Sequence, residues 1–327
     1  MKGRVVLAGL SAAGVLLVIA FAWVGARGPA AVLSQFTSAE GLRVIEAVPY
    51  GEDTRQRMDV YIPTATPPVA GGYPVVVFFY GGSWQSGRRQ DYRFVARSLA
   101  RRGMVVVVPD YRLYPQVTYP GFLRDAARAV ALVLREATLW RGDPSRVFVM
   151  GHSAGAYNAA MLALDPRWLR EAGAPASRHL AGWVGLAGPY DFLPITQEDV
   201  KPIFHFPNSP PDSQPIAYVS PSAPPCFLGA ALRDDLVNPR RNTLAMAHRL
   251  RADGVPVDER VYSGVNHITL IGAFAWPLRR LAPVLRDVSR FVLHTGIHAP
   301  RARADALLDS LASAGPAAAS GASDAQG

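Results

Sequence analysis

Between residues 44 and 294 the chain alternates between two hydrophobic patterns. Short apolar runs bounded by turn residues recur at Met58–Ile62, Val75–Tyr80, Met104–Val108, Val147–Met150, Trp183–Leu186, Cys226–Ala230 and Val257–Tyr262, and they predict strands. In Val75–Tyr80 and Val105–Val108 the apolar residues are consecutive rather than alternating, as expected of strands covered by helices on both faces. Between the runs lie helix-like stretches at 91–102, 122–140, 153–164 and 240–252, which stop at Gly103, at Gly142, before Asp165-Pro166, and at Gly254. This alternation predicts an α/β fold with a mostly parallel sheet, whose ligands lie beyond the carboxyl ends of the strands. Val44–Val48 and Met58–Ile62, separated by Gly51-Glu52-Asp53, fit an antiparallel pair instead. Residues 190–222 carry prolines at 194, 202, 207, 210, 211, 215 and 221 without long periodicity, which predicts a loop-rich cap over the site.

The two ends differ from this body. Residues 5–24 are uncharged and follow Lys2 and Arg4; as a helix they reach about 30 Å, enough to span a bilayer. Their length favours an uncleaved signal anchor, with a cleaved signal peptide as the alternative because Val24-Gly25-Ala26 and Gly28-Pro29-Ala30 offer small residues. Positive charge stays inside, so the expected location is a bacterial inner membrane with the domain on its periplasmic side, or secreted or periplasmic if the signal is removed. From residue 299 the chain is rich in Ala, Ser, Gly and Asp and reads as a disordered tail. The expected organisation is therefore 1–28 as anchor or signal, 29–298 as one domain, and 299–327 as tail.

Composition narrows the picture. The 327 residues carry a formal charge of +9, with Lys2 and Lys201 the only lysines. The arginines are spread along stretches such as 93–102 and 124–141 with no basic run interleaved with aromatics, so no nucleic-acid partner is expected. Cys226 is the single cysteine, which rules out an intrachain disulfide and leaves a Cys-based metal site without its second thiolate. Its apolar neighbours predict an inert thiol in a buried strand.

The chemistry concentrates in Val147-Phe148-Val149-Met150-Gly151-His152-Ser153-Ala154-Gly155, a strand feeding G-x-S-x-G and then an Ala-rich helix. A nucleophilic serine needs this sharp strand-to-helix turn, and the helix that follows aims N–H groups at a developing oxyanion. The glycines of Phe79-Tyr80-Gly81-Gly82-Ser83-Trp84, also after a strand, suit a loop whose Gly82 or Ser83 amide joins that of Ala154 as an oxyanion hole. Serine also needs a base, and the base a carboxylate. Of the seven histidines, His152 is expected to point away on the turn, and His179, His205, His248, His294 and His298 are poorly placed. His267 remains, in the loop after the strand Val257–Tyr262. Asp234, after the strand Cys226–Ala230, is the favoured acid with Asp235 competing. Asp110 and Asp191 read as structural hydrogen-bonders.

With these residues in place, residues 44–294 resemble bacterial α/β-hydrolase esterases of the carboxylesterase and feruloyl-esterase-like group, close to kynurenine formamidases and prenylcysteine methylesterases. The resemblance rests on Met58-Asp59-Val60-Tyr61-Ile62-Pro63, Gly81-Gly82-Ser83-Trp84, Asp110-Tyr111-Arg112, Gly142-Asp143-Pro144-Ser145-Arg146, the Gly151–Gly155 turn, Asp234-x-x-Val237 and His267. It implies Ser153, Asp234 and His267 as catalytic triad, the amides of Gly82, Ser83 and Ala154 as oxyanion hole, and hydrolysis of a small ester without metal or cofactor. The family usually has histidine before the Gly-Gly pair, where this chain has Tyr80; the triad is untouched, but the transfer of a formamidase substrate preference is weakened. The rival expectations are an amide hydrolase of formamidase type using the same triad, and a catalytically silent membrane-anchored binding protein.

Overall fold

The computed structural model describes residues 29–296 apart from positions 70 and 178. The span expected at 5–24 and the tail expected from 299 lie outside the described residues, among which no helix is long and apolar enough to cross a membrane. Eight strands form one sheet: β1 Leu42–Pro49, β2 Arg57–Pro63, β3 Tyr73–Phe79, β4 Val105–Pro109, β5 Gly142–His152, β6 Leu180–Leu186, β7 Cys226–Ala231 and β8 Val257–Tyr262. They lie in the order β1-β2-β4-β3-β5-β6-β7-β8. β1 pairs with β2, and β2 with β4, antiparallel; every other pairing is parallel.

Sequence and position in the sheet agree. The unbroken apolar run of β3 lies at the centre and is buried at every residue, while β1 and β8 form the edges and keep exposed charged residues, which blunts edge-to-edge association. Cys226 is buried on β7. The helices are α1 Pro29–Leu33, α2 Arg93–Ala100, α3 Gly121–Glu136, α4 Ala154–Leu164, α5 Arg167–Glu171, α6 Ala245–Ala252, α7 His267–Gly272 and α8 Val284–His294. Packing of α2 on α8, and of α3 on α4 and α5, covers the two faces of the sheet.

Several elements differ from the pattern-based expectation. The stretch 122–140 is helical only to Glu136 and then tightens into a 3-10 turn. The stretch 240–252 opens with a single π-helical turn at Arg240–Leu244. Residues 190–222 contain three 3-10 turns joined by irregular backbone. The hydrophobic runs do not single out α5, α7 or α8, and two of these are too short to show a period.

The strand order fixes where a ligand can sit. The chain leaves β3 toward β4 on one side and returns to β5 on the other, so the loops after β3 and β5 part and open a crevice at their carboxyl ends. The Gly81-Gly82 loop and the Ser153 turn are those two loops.

Candidate active site

Ser153 stands between β5 and α4 with φ 54° and ψ −124°, a strained conformation that only surrounding structure can hold. A Cβ at Gly151 would lie 2.0 Å from the Gly155 carbonyl oxygen, and one at Gly155 would lie 2.0 Å from that of Phe79. Both neighbours are backbone and cannot yield, so the spacing of glycines around the serine is dictated by sterics. The Ser153 amide donates to the Leu186 carbonyl at 2.9 Å, which ties the turn to β6.

The loop after β3 lies alongside, since a Cβ at Gly81 would lie 3.0 Å from that of Ser153. The Gly82 carbonyl accepts from the amides of Gln85 and Ser86, and Ser83 and Trp84 both take positive φ. Among the described residues the amides of Gly82, Ser83 and Ala154 donate to no backbone carbonyl. They are free donors beside the serine, and Ala154 is the first residue of a helix, where partial positive charge collects.

Tyr80 anchors this loop from beneath. Its hydroxyl donates to Asp110 Oδ1 at 2.8 Å and accepts from Arg55 Nη2 at 2.8 Å, and its ring stacks between Tyr92 and Tyr111. Asp110 is a structural hydrogen-bonder, also paired with Arg89. Asp191 pairs with Arg241 at 3.1 Å.

On the far side of the turn, His267 Nδ1 lies 2.8 Å from Asp234 Oδ2. A carboxylate only accepts, so Nδ1 carries a proton, and it is Nε2 that is left to exchange one. Asp234 Oδ1 accepts from the amides of Leu236 at 3.0 Å and Val237 at 2.8 Å. Burial pushes the Asp234 carboxyl up, but the hydrogen bond from His267, its charge and the two amides outweigh that and hold it below the usual carboxylate value. Asp235 is exposed. The Ser153 hydroxyl makes no hydrogen bond among the described residues, so in this resting geometry it is not joined to His267; such contacts often close only around a substrate.

Two histidines sit differently from expectation. His267 was expected in a loop, yet it is the first residue of α7, held by a reciprocal cap in which Asn266 Oδ1 accepts from the Thr269 amide and Thr269 Oγ1 from the Asn266 amide. His152 was expected to point away, yet it packs on His267 with ring centroids 4.8 Å apart, and its Nε2 lies 2.9 Å from the His267 carbonyl oxygen. That oxygen is an acceptor, so Nε2–H donates and the buried Nδ1 has no partner. Burial, reinforced by the adjacent His267, pushes His152 down to about 3.

A cleft of about 440 Å³ lies between Ser153 and the cap, lined among others by Trp84, Phe192, Arg241 and Asn242. His267 is not among the residues that line this cleft. Asn242 is the residue that motif reading misses: from the π turn, its Oδ1 accepts from the amides of Tyr190 at 2.6 Å and Asp191 at 2.9 Å. It thereby fixes the start of the cap, across 52 residues of sequence.

A mostly parallel sheet with an antiparallel edge, a strained serine turn after its fifth strand, and a paired His and Asp after later strands define an α/β-hydrolase. Within that class the chain belongs to the BD-FAE family, whose model matches residues 58–250. It is 36% identical over 155 residues to a probable isoprenylcysteine alpha-carbonyl methylesterase of Oryza sativa subsp. japonica, a match covering 46% of this chain and only 36% of the relative's length. It is 28% identical over 231 residues to the kynurenine formamidase of Danio rerio, covering 68% of this chain and 74% of that one. Inhibited esterase B from Lactobacillus rhamnosis superposes with a TM-score of 0.68 at 17% identity, covering 91% of this chain and 98% of that one; at that identity the likeness is one of fold.

Proposed function

We propose that this protein hydrolyses carboxylic esters through an acyl-enzyme, with Ser153 as nucleophile, His267 as base and Asp234 as the group that orients it. The observation that carries this reading is the His267–Asp234 hydrogen bond of 2.8 Å, which leaves Nε2 as the nitrogen free to take a proton, together with a serine held in strained geometry. Ser153 Oγ attacks the ester carbonyl carbon as its proton passes to His267 Nε2, and the oxyanion forms among the amides of Gly82, Ser83 and Ala154. As the carbonyl re-forms, the C–O bond to the alcohol breaks and His267 protonates the leaving oxygen. Water then repeats the sequence on the acyl-serine, returning the acid and free Ser153. The esterase and methylesterase relatives support this chemistry.

The formamidase likeness supports a second reading, in which the same groups cleave an aryl formamide. Turnover of short-chain aryl esters against matching formamides separates the two. The ester reading expects higher kcat/KM on the esters and no turnover by folded Ser153→Ala; full activity in that variant contradicts both. We also infer that residues 5–24 hold the domain at a membrane, which is supported by their uncharged length after Lys2 and Arg4.

A further inference from the structure

Large apolar side chains gather in the open around the His267 and Asp234 side of the site. Leu232 and Leu236 flank Asp234, and Ile268 follows His267. The Leu281 carbonyl presses on Gly264, three residues before His267, such that a Cβ there would lie 2.4 Å from its oxygen. Trp276 lies four residues beyond the end of α7 and is 71% exposed, while the other four range from 44% to 57%. Folding does not require this exposure, and large apolar side chains left exposed on one side of a site mark an interaction surface.

The charges beside the rim are mostly basic. Arg101, Arg102, Arg233, Arg279 and Arg280 are exposed, and none of them has a carboxylate within 4.0 Å among the described residues. Arg279 feels this crowding: burial, then the charges of Arg102 and Arg101, push its guanidinium below the usual value. The carboxylates of the rim are Asp235, beside Leu236, and Glu198 and Asp199, which follow Gln197, whose Nε2 donates to the Leu236 carbonyl. An apolar collar edged by unpaired arginines and carrying an exposed tryptophan matches the layering of a bilayer surface, with acyl chains beneath anionic headgroups and aromatics at their boundary.

The N-terminal end of the described chain lies on the same side. Leu33 Cδ1 would lie 3.6 Å from a Cβ on Gly272, the last residue of α7. Only residues 25–28 separate the uncharged stretch 5–24 from Pro29, a reach of at most about 14 Å.

From this arrangement we infer that the collar of Leu232, Leu236, Ile268, Trp276 and Leu281, with its flanking arginines, is a docking surface for an anionic phospholipid bilayer. The edge of the cleft at Leu236 then faces the lipid, and esters partitioned into the bilayer reach the site without crossing bulk water. The docking claim stands on the surface itself; the substrate claim rests on the hydrolase reading.

The experiment places the full chain in vesicles of phosphatidylglycerol and phosphatidylcholine, with or without dibrominated phosphatidylcholine, and reads tryptophan fluorescence. The chain has six tryptophans, so the difference between wild type and Trp276→Phe isolates the Trp276 signal. Docking expects that component to be quenched by the brominated lipid to about half or less and shielded from aqueous iodide, at short range from the acyl chains. Ser153→Ala should give the same quenching, so failure of the hydrolase reading leaves this readout intact. Quenching by iodide and not by bromine overturns the inference, and shielding from both replaces the bilayer with a protein occupant. As a second measurement, Ile268→Asp with Arg280→Glu should lose about tenfold on a bilayer-embedded ester while keeping its rate on a water-soluble one. Equal rates on the embedded ester overturn the substrate claim.

Discussion

Asp234 divides its two carboxylate oxygens between two tasks, one holding the Nδ1 proton of His267 and the other accepting the amides of Leu236 and Val237. Asp234→Asn keeps the shape but can present an NH₂ to the ring and favour the wrong tautomer. It should lower kcat by about 10³ to 10⁴, whereas Asp235→Asn, at an exposed side chain, should leave steady-state rates near wild type. His152 gives a prediction in pH. Its folded value is pushed down to about 3 from an ordinary 6.5, so between those values the unfolded chain binds the extra proton. Stability from this residue is therefore complete above about pH 6.5 and declines as pH falls toward 3, by up to about 1.4 kcal/mol per unit. Denaturant midpoints from pH 7 to pH 4 should fall more steeply for wild type than for His152→Gln, which retains a donor for the His267 carbonyl. Ser153 is legible in the sequence because its strand, two glycines and helix are adjacent along the chain. Asp234 stands apart from Asp235 only once its side chain is seen to meet His267, and the position of His152 was misread because its partner lies 115 residues away.

At the scale of elements, the turn bearing Ser153 and the loop after β3 are one steric unit. Gly155→Ala drives a Cβ to within 2.0 Å of the Phe79 carbonyl oxygen, and it should cost about 3 kcal/mol or more in chemical denaturation because neither backbone can move alone. Asn242→Ala leaves the amides of Tyr190 and Asp191 without their acceptor. The cap start should loosen, and KM should rise several-fold with a smaller change in kcat. The strands were legible because each is a dense apolar run, and the antiparallel β1–β2 pair because a turn separates two such runs. The short helix α7 and the π turn at Arg240–Leu244 were not, since a cap or one extra residue per turn leaves little trace in hydrophobic periodicity. Asn266 and Thr269 are the one local sign of α7: a side-chain acceptor spaced three residues from a hydroxyl.

Across the whole molecule, the strand order places the two loops of the site on either side of a crevice, and the cap, pinned by Asn242, closes one end of it. The relation of this body to residues 5–24 makes a separate prediction. Full-length protein should stay with membranes through an alkaline carbonate wash, and deletion of residues 1–28 should release it from that resistant fraction; a full-length chain extracted by carbonate contradicts the anchor. The central claim is that Ser153 is an activated nucleophile, and the most direct test is a fluorophosphonate, which reacts only with a serine whose base and oxyanion donors are in place. Mass spectrometry of labelled, folded protein should find one adduct, on Ser153, absent in Ser153→Ala and formed far more slowly in Asp234→Asn. Folded protein that takes no label, or takes it on another residue, contradicts the account.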